Sequence, residues 1–211
     1  MSIKIYDAFG TPKTIEVAAR RGLSSFNHIS GANSLDNWAV AGVVNATAFG
    51  TASIVAATLY AMPFASPRGG IIDQMTINVT SAGAGSSTRV GLYKSIAKGT
   101  NLYPGALVTD AGVVTTASTG VKTYTTGFPI ILDPGELYWF ACVCNTTAPV
   151  IRGLAVAGCY PIFGIGAAMS TAPGLGVSVA YTFGTLPTTF KPGGTLITAA
   201  PLPAIACRYK A

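Results

Sequence analysis

Charge is what this chain has least of. Its 211 residues include 13 Lys and Arg and 7 Asp and Glu, 9% charged in all, where ordinary soluble proteins carry roughly 25%. A monomer with so few charges has little to keep it dispersed. Two kinds of protein tolerate this: one that sits in a membrane, and one whose surface is covered by its own copies or by other chains. Histidine is nearly missing too. The only one, His28, lies in a polar stretch without the neighbouring Cys, Asp or second His that metal sites and acid–base catalysis require.

Acids are equally sparse: Asp7, Glu16, Asp36, Asp73, Asp110, Asp133 and Glu136. Asp133 and Glu136 form the one close pair, and they flank Pro134-Gly135, a turn signature. Glycosidase chemistry needs two carboxyls roughly 5 to 9 Å apart across a cleft, and no such cleft is signalled. No catalytic residue is expected, and no cofactor.

Long apolar runs are absent as well. A membrane helix needs about 20 uninterrupted apolar residues. The nearest approach, Trp38 to Met62, is uncharged but contains Asn45, Thr47, Gly50, Thr51 and Ser53, and it relies on Ala and Val instead of Leu. A membrane span is not expected there. The N-terminus, MSIKIYDAFGTPK, is polar and broken by Gly10 and Pro12, unlike a secretory signal. A chain made and used in a cytosol fits both features.

The four cysteines agree with that compartment. Cys142 and Cys144 are two apart, so on a strand they share a face and cannot easily close on each other. Cys159 and Cys207 lie far along the chain. Paired Cys-x-x-Cys knuckles, the usual zinc spacing, are missing. The thiols therefore read as free, buried, small hydrophobes, and no metal is expected.

The net charge of +6 comes mostly from single, scattered cations; the pairs are Arg20-Arg21 and Arg208 with Lys210. No basic block alternates with stacking aromatics, as single-strand binding wants, so nucleic acid is not expected as a partner. Docking on an acidic protein surface is another use for this charge.

What the chain does have is strand pattern and turn chemistry. Leu137 to Cys144, LYWFACVC, is apolar on both parities. Successive side chains of a strand point to opposite faces, so this one must be covered on both. Met75, Ile77 and Val79 alternate with Gln74, Thr76 and Asn78, a half-exposed strand. Val90 and Leu92 share one face, with Arg89, Gly91 and Tyr93 on the other. Further strands are expected over Ile54 to Tyr60, ended by Pro63 and Pro67, and over Leu107 to Thr116 and Val121 to Phe128. A closing strand is expected over Ile197 to Lys210, returning to pair beside the central sheet. Ser81 to Ser86 reads as a turn and Ser95 to Gly105 as a loop. Roughly one strand per 10 to 15 residues, with no capped helical period, suits an all-β sandwich.

Three segments carry a family resemblance. Arg89-Val90-Gly91-Leu92-Tyr93, then Tyr103-Pro104-Gly105-Ala106-Leu107 with Asp110-Ala111-Gly112, then LDPGELYWFACV over Leu132 to Val143 resemble, in order and spacing, the jelly-roll domains of tailed-bacteriophage virion proteins. Those domains occur in head fibres, capsid decoration (cement) proteins and tail fibres. The match covers roughly residues 58 to 145. It implies an antiparallel jelly-roll-like β-sandwich in a non-enzymatic virion structural protein, assembled in the host cytoplasm. Its implied partners are its own copies, as a homotrimer, and the major capsid or a tail protein of the virion. A carbohydrate- or receptor-binding module of a phage fibre is the alternative. Tyr93, Tyr103 and Tyr124 are the residues that could meet a host-surface glycan.

Two regions are expected. Residues 1–45 read as an N-terminal hairpin, Ile3 and Ile5 against Ile15 and Val17, followed by an extended connector arm. Residues 46–211 read as the sandwich. The stretch from Gly153 to Phe190 has no charged side chain. An apolar loop of that length is costly to leave in water, so it is expected at a subunit interface, around a symmetry axis or under the arm.

Overall fold

Leu137–Cys144 is a strand, β11, at the heart of a six-stranded sheet, and every residue in it past Leu137 is buried. The structure, a computed structural model, describes residues 4–6, 12–14, 37–40, 49–66, 69–98, 101–154, 174–198 and 201–210. Within them, strands numbered in chain order form two large sheets and one small hairpin. In the six-stranded sheet β11 lies between β5 (Thr58–Ala65) and β7 (Ser87–Lys98). Trp139 stands opposite Pro63 and Tyr93, and Phe140 opposite Met62 and Leu92. Beyond β5 come β13 (Gly176–Ala180) and β14 (Thr195–Ile197); beyond β7 comes β8 (Asn101–Thr115).

The spine of the eight-stranded sheet is β6 (Gly70–Ser81). Met75, Ile77 and Val79 turn inward, each no more than 2% exposed, as their alternation predicts. One edge of β6 pairs with β9 (Gly120–Tyr124) and β10 (Ile130–Leu132); the other pairs with β16 (Ala206–Tyr209) and β12 (Val150–Leu154). Outside these, β4 (Phe49–Ser53) and β15 (Leu202–Pro203) pair with β12, and β3 (Asn37–Val40) with β16.

The inward faces of the two sheets share one core, which makes the fold an all-β sandwich. Tyr138, Phe140, Cys142 and Cys144 of β11 meet Ile72, Met75, Ile77 and Val79 of β6, with Cys207 and Tyr209 of β16. The Phe64 and Phe140 rings stack at 4.6 Å. The opposite parity of β11 has its own core. Trp139, Ala141 and Val143 join Leu59, Ala61, Tyr93 and Val177 under Leu186 and Phe190.

The described end of the uncharged stretch, residues 174–190, lays Val177, Leu186 and Phe190 on its own chain; residues 155–173 lie outside the described part. The cover is stitched to β8: Leu107 N–H donates to Thr188 O and Phe190 N–H to Gly105 O, both at 2.9 Å. A strand apolar on both faces needed a second layer, and the nearest apolar segment was its own.

Four strand boundaries also differ from the sequence reading. Ile54 to Tyr60 is not one strand. Ala57 adopts a left-handed φ of 53°, and the chain turns there between β4 and β5. Pro63 does not end β5 but sits inside it, where β13 has stopped at Ala61 and β5 has a partner on one side only. Proline is tolerated in sheets where no ladder bond is asked of its nitrogen. Most of Ser95 to Gly105 is strand: β7 runs to Lys98 and β8 starts at Asn101, paired with register shifts between Arg89 and Ser95, the irregularity that bulges bring, while residues 99 and 100 lie outside the described part. The closing segment is not one strand: it holds β15 and β16, and both join the sheet opposite β11.

Of the N-terminal region, Lys4–Tyr6 (β1) and Pro12–Thr14 (β2) form the expected hairpin, with its return strand at Pro12–Thr14. Ile15 and Val17 lie outside the described residues, as does His28. The stretch read as connector is not strand-free, because β3 within it pairs with β16.

One ion pair ties β6 to β16. Arg208 donates to both carboxylate oxygens of Asp73, at 2.9 and 2.8 Å. The guanidinium hydrogen bond holds the Asp73 pKa below its ordinary value, although burial pulls the other way. A carboxyl whose folded pKa is depressed contributes stability above its unfolded pKa, near 3.9, and loses it as pH falls through the folded value. We expect Asp73→Asn to be less stable than the native chain at neutral pH. That gap should close in urea titrations below about pH 4; a gap independent of pH would show that the charge contributes nothing.

Candidate functional site

Every described carboxylate is occupied by a cation of its own chain. Asp73 is held by Arg208, and Asp110 by Arg89 at 2.5 Å. Lys94 reaches both Asp133 and Glu136, at 3.6 and 3.7 Å. The last pair flanks the turn entering β11. Gly135 has the positive φ of 75° that the third position of a type II turn requires, and its N–H donates to Ser66 O at 3.0 Å. Asp133 and Glu136 are thus brought together, on an exposed turn and sharing one lysine, with no cleft between them. Among the described residues no three His, Cys, Asp or Glu come together in a way that could hold a metal ion.

The thiols are where the pattern puts them. Cys142, Cys144 and Cys207 are buried, and Cys142 and Cys144 face the same core. Cys144 Sγ donates to Ile54 O at 2.9 Å, and burial pushes its pKa up to about 11. Burial raises the Cys142 thiol further. A thiol held neutral this way is neither a ready nucleophile nor a ready ligand. Cys159 lies outside the described residues.

The three tyrosines are framework. Tyr93 and Tyr124 are 0% and 1% exposed; their hydroxyls donate to Pro187 O and Thr88 O. Tyr103, half-buried, donates to Lys191 O at 2.8 Å and accepts from Gly194 N–H at 2.9 Å. It packs edge-on against Phe190. Two of the three rings are shut off from any sugar.

What the structure adds is a groove of about 470 Å3 on the eight-stranded sheet, lined by Phe49, Thr76, Asn78, Val121, Arg152 and Ala206 among others. It lies where β6 changes partners. The register with β12 ends at Val79, and that with β16 resumes at Thr76. Between them the sheet is split along one side of β6, and Ala204 bridges to β12 through its N–H to Arg152 O at 2.9 Å. Thr76 and Asn78 belong to the parity opposite the core; Asn78 is half-buried and Thr76 buried, at 9% exposure. Val121, opposite Asn78 on β9, is 65% exposed. Arg152 is exposed and differs from Arg89 and Arg208: no acidic side chain among the described residues pairs with it. Sequence reasoning passed over this place, since Arg152 reads there only as one scattered cation. The sole signal was that cation inside a strand otherwise apolar.

No protein-family model matches the sequence, and no curated protein does. The site therefore rests on its own chemistry: one guanidinium with no acid beside it among the described residues, one hydroxyl and one amide among apolar side chains.

Proposed function

We propose that this chain is a non-enzymatic structural subunit of a tailed-phage virion, of the jelly-roll type, that oligomerises and docks on another virion protein. The observation that carries the reading is where the resembling segments fall. Arg89–Tyr93 lies in β7, Tyr103–Gly112 in β8, and Leu132–Val143 in the turn and strand of β11. These are three adjacent strands of one sheet, in the order β11-β7-β8, so the resemblance follows a single contiguous unit of the fold. Every described carboxylate is committed to an ion pair, which also favours a structural over a catalytic role.

Association with copies draws support from an apolar strip on the outside. Ile131, 74% exposed, stands opposite Ile71, 41% exposed, and Val121 continues the same edge of the eight-stranded sheet. Closed symmetry buries such patches by one repeated contact. The number three comes from the resemblance alone. Light scattering on the purified chain at micromolar concentration should give the mass of a trimer; a stable monomer would refute association. Deleting residues 1–36 stops short of β3 and should leave that oligomer intact while abolishing incorporation into particles. Normal incorporation of the deleted chain would sink the proposal that the N-terminal region is the anchor.

A further inference from the structure

The charge pattern leaves several exposed cations without an acid among the described residues, and Arg152 is the one that lines the groove. Asp73, Asp110, Asp133 and Glu136 each have a cation within their own chain. Arg152 has no acid among the described residues, and it stands exposed in the wall of the groove. Its guanidinium is therefore available to an acid carried by another chain. We infer that the groove binds an extended, acidic segment of a partner protein, with Arg152 pairing a carboxylate of that segment.

The rest of the lining says why the ligand is a peptide. An extended chain repeats same-face side chains every two residues, roughly 6.6 Å. A segment alternating acidic and apolar residues would set its carboxylate on Arg152 and its apolar side chains against Phe49, Val121 and Ala206. Asn78, half-buried beside the split in the sheet, supplies a donor amide for a backbone group of the segment. The volume, about 470 Å3, lies within the usual range of ligand grooves, roughly 300 to 1,000 Å3. The overall +6 charge steers an acidic partner toward the chain. Only the biological use of this groove rests on the docking proposed above; the binding itself is a property of the purified protein.

The probe is a fluorescein-labelled, end-blocked hexapeptide Glu-Val-Glu-Val-Glu-Val, followed by fluorescence anisotropy on the full chain. Saturable binding is expected, weakened roughly tenfold or more by Arg152→Gln, the loss typical of a charged hydrogen bond. Raised salt should weaken it too. Lys191→Gln, an exposed cation after β13 whose Nζ donates to Ala180 O, should leave the affinity unchanged. Arg152 is exposed, so the variant should keep its circular dichroism and melting temperature. Equal affinity of native chain and Arg152→Gln would overturn the inference, as would no binding up to millimolar peptide. Equally tight binding of a Lys-Val hexapeptide would also overturn it, by showing apolar capture alone. Binding of a galacturonate oligomer, lost in Arg152→Gln while the Glu-Val peptide stays unbound, would replace the peptide by an acidic saccharide.

Discussion

Trp139→Ala should cost about 3 to 5 kcal/mol of stability, the usual range for truncating a fully buried large aromatic side chain. Trp139 is 0% exposed and lies between the six-stranded sheet and its outer cover, against Leu59, Tyr93, Leu186 and Phe190. The substitution leaves a hole with a rigid sheet on one side and a loop on the other. Collapse of the loop would recover part of the loss. Guanidinium unfolding followed by far-ultraviolet circular dichroism is the measurement. Val121→Ala, on the exposed edge, should stay within about 0.5 kcal/mol of the native chain. A loss below about 1 kcal/mol at Trp139 would mean that the outer layer does not cover the strand.

The second large effect is expected at Asp110. Its Oδ2 accepts from Arg89 and, at 3.1 Å, from the Leu186 N–H; its Oδ1 accepts from the Gly112 N–H at 3.0 Å. One carboxylate therefore joins β7, β8 and the covering segment. The pair is mostly buried, with 19% and 17% of the two side chains exposed, and Arg89 Nε already has no partner. Asp110→Ala would strand a guanidinium and two N–H groups at once, for about 2 to 4 kcal/mol. Because Leu186 is released with it, limited proteolysis should cut within residues 181–190 faster than in the native chain. Asp110→Asn keeps the shape and one acceptor and should fall between the two. Unchanged proteolysis in Asp110→Ala would show that the cover is held by apolar packing alone.

Gly91 shows the same seam from the other side. A Cβ there would come within 2.7 Å of Thr109 O as well as into the Leu186 side chain, so β7, β8 and the cover close on a position with no room for a side chain.

Much of the fold was legible because two signals are local. Side-chain alternation identified the inward parity of β6 at Met75, Ile77 and Val79, and turn chemistry at Asp133–Glu136 marked the start of β11. Double-sided apolarity in LYWFACVC required two covering layers before any partner was known. The misjudged stretches share a cause. Pro63, and Pro104 with Gly105, read as breakers, yet a strand edge without a ladder partner and a shifted register each accommodate them. Those conditions are set by neighbours far along the chain.

The candidate site shows the division most clearly. The amino-acid sequence by itself determined the class of fold, the burial of Cys142 and Cys144, and the scarcity of carboxylates, because periodicity and composition act residue by residue. Only the tertiary structure decided that Leu186 and Phe190 roof Trp139, that β3 extends the sheet at β16, and that Arg152, beside a split along β6, has no acid partner among the described residues. Backbone hydrogen bonds are alike for nearly every residue, so which strands pair, and where a ladder parts, follows from packing between distant segments and not from the local pattern.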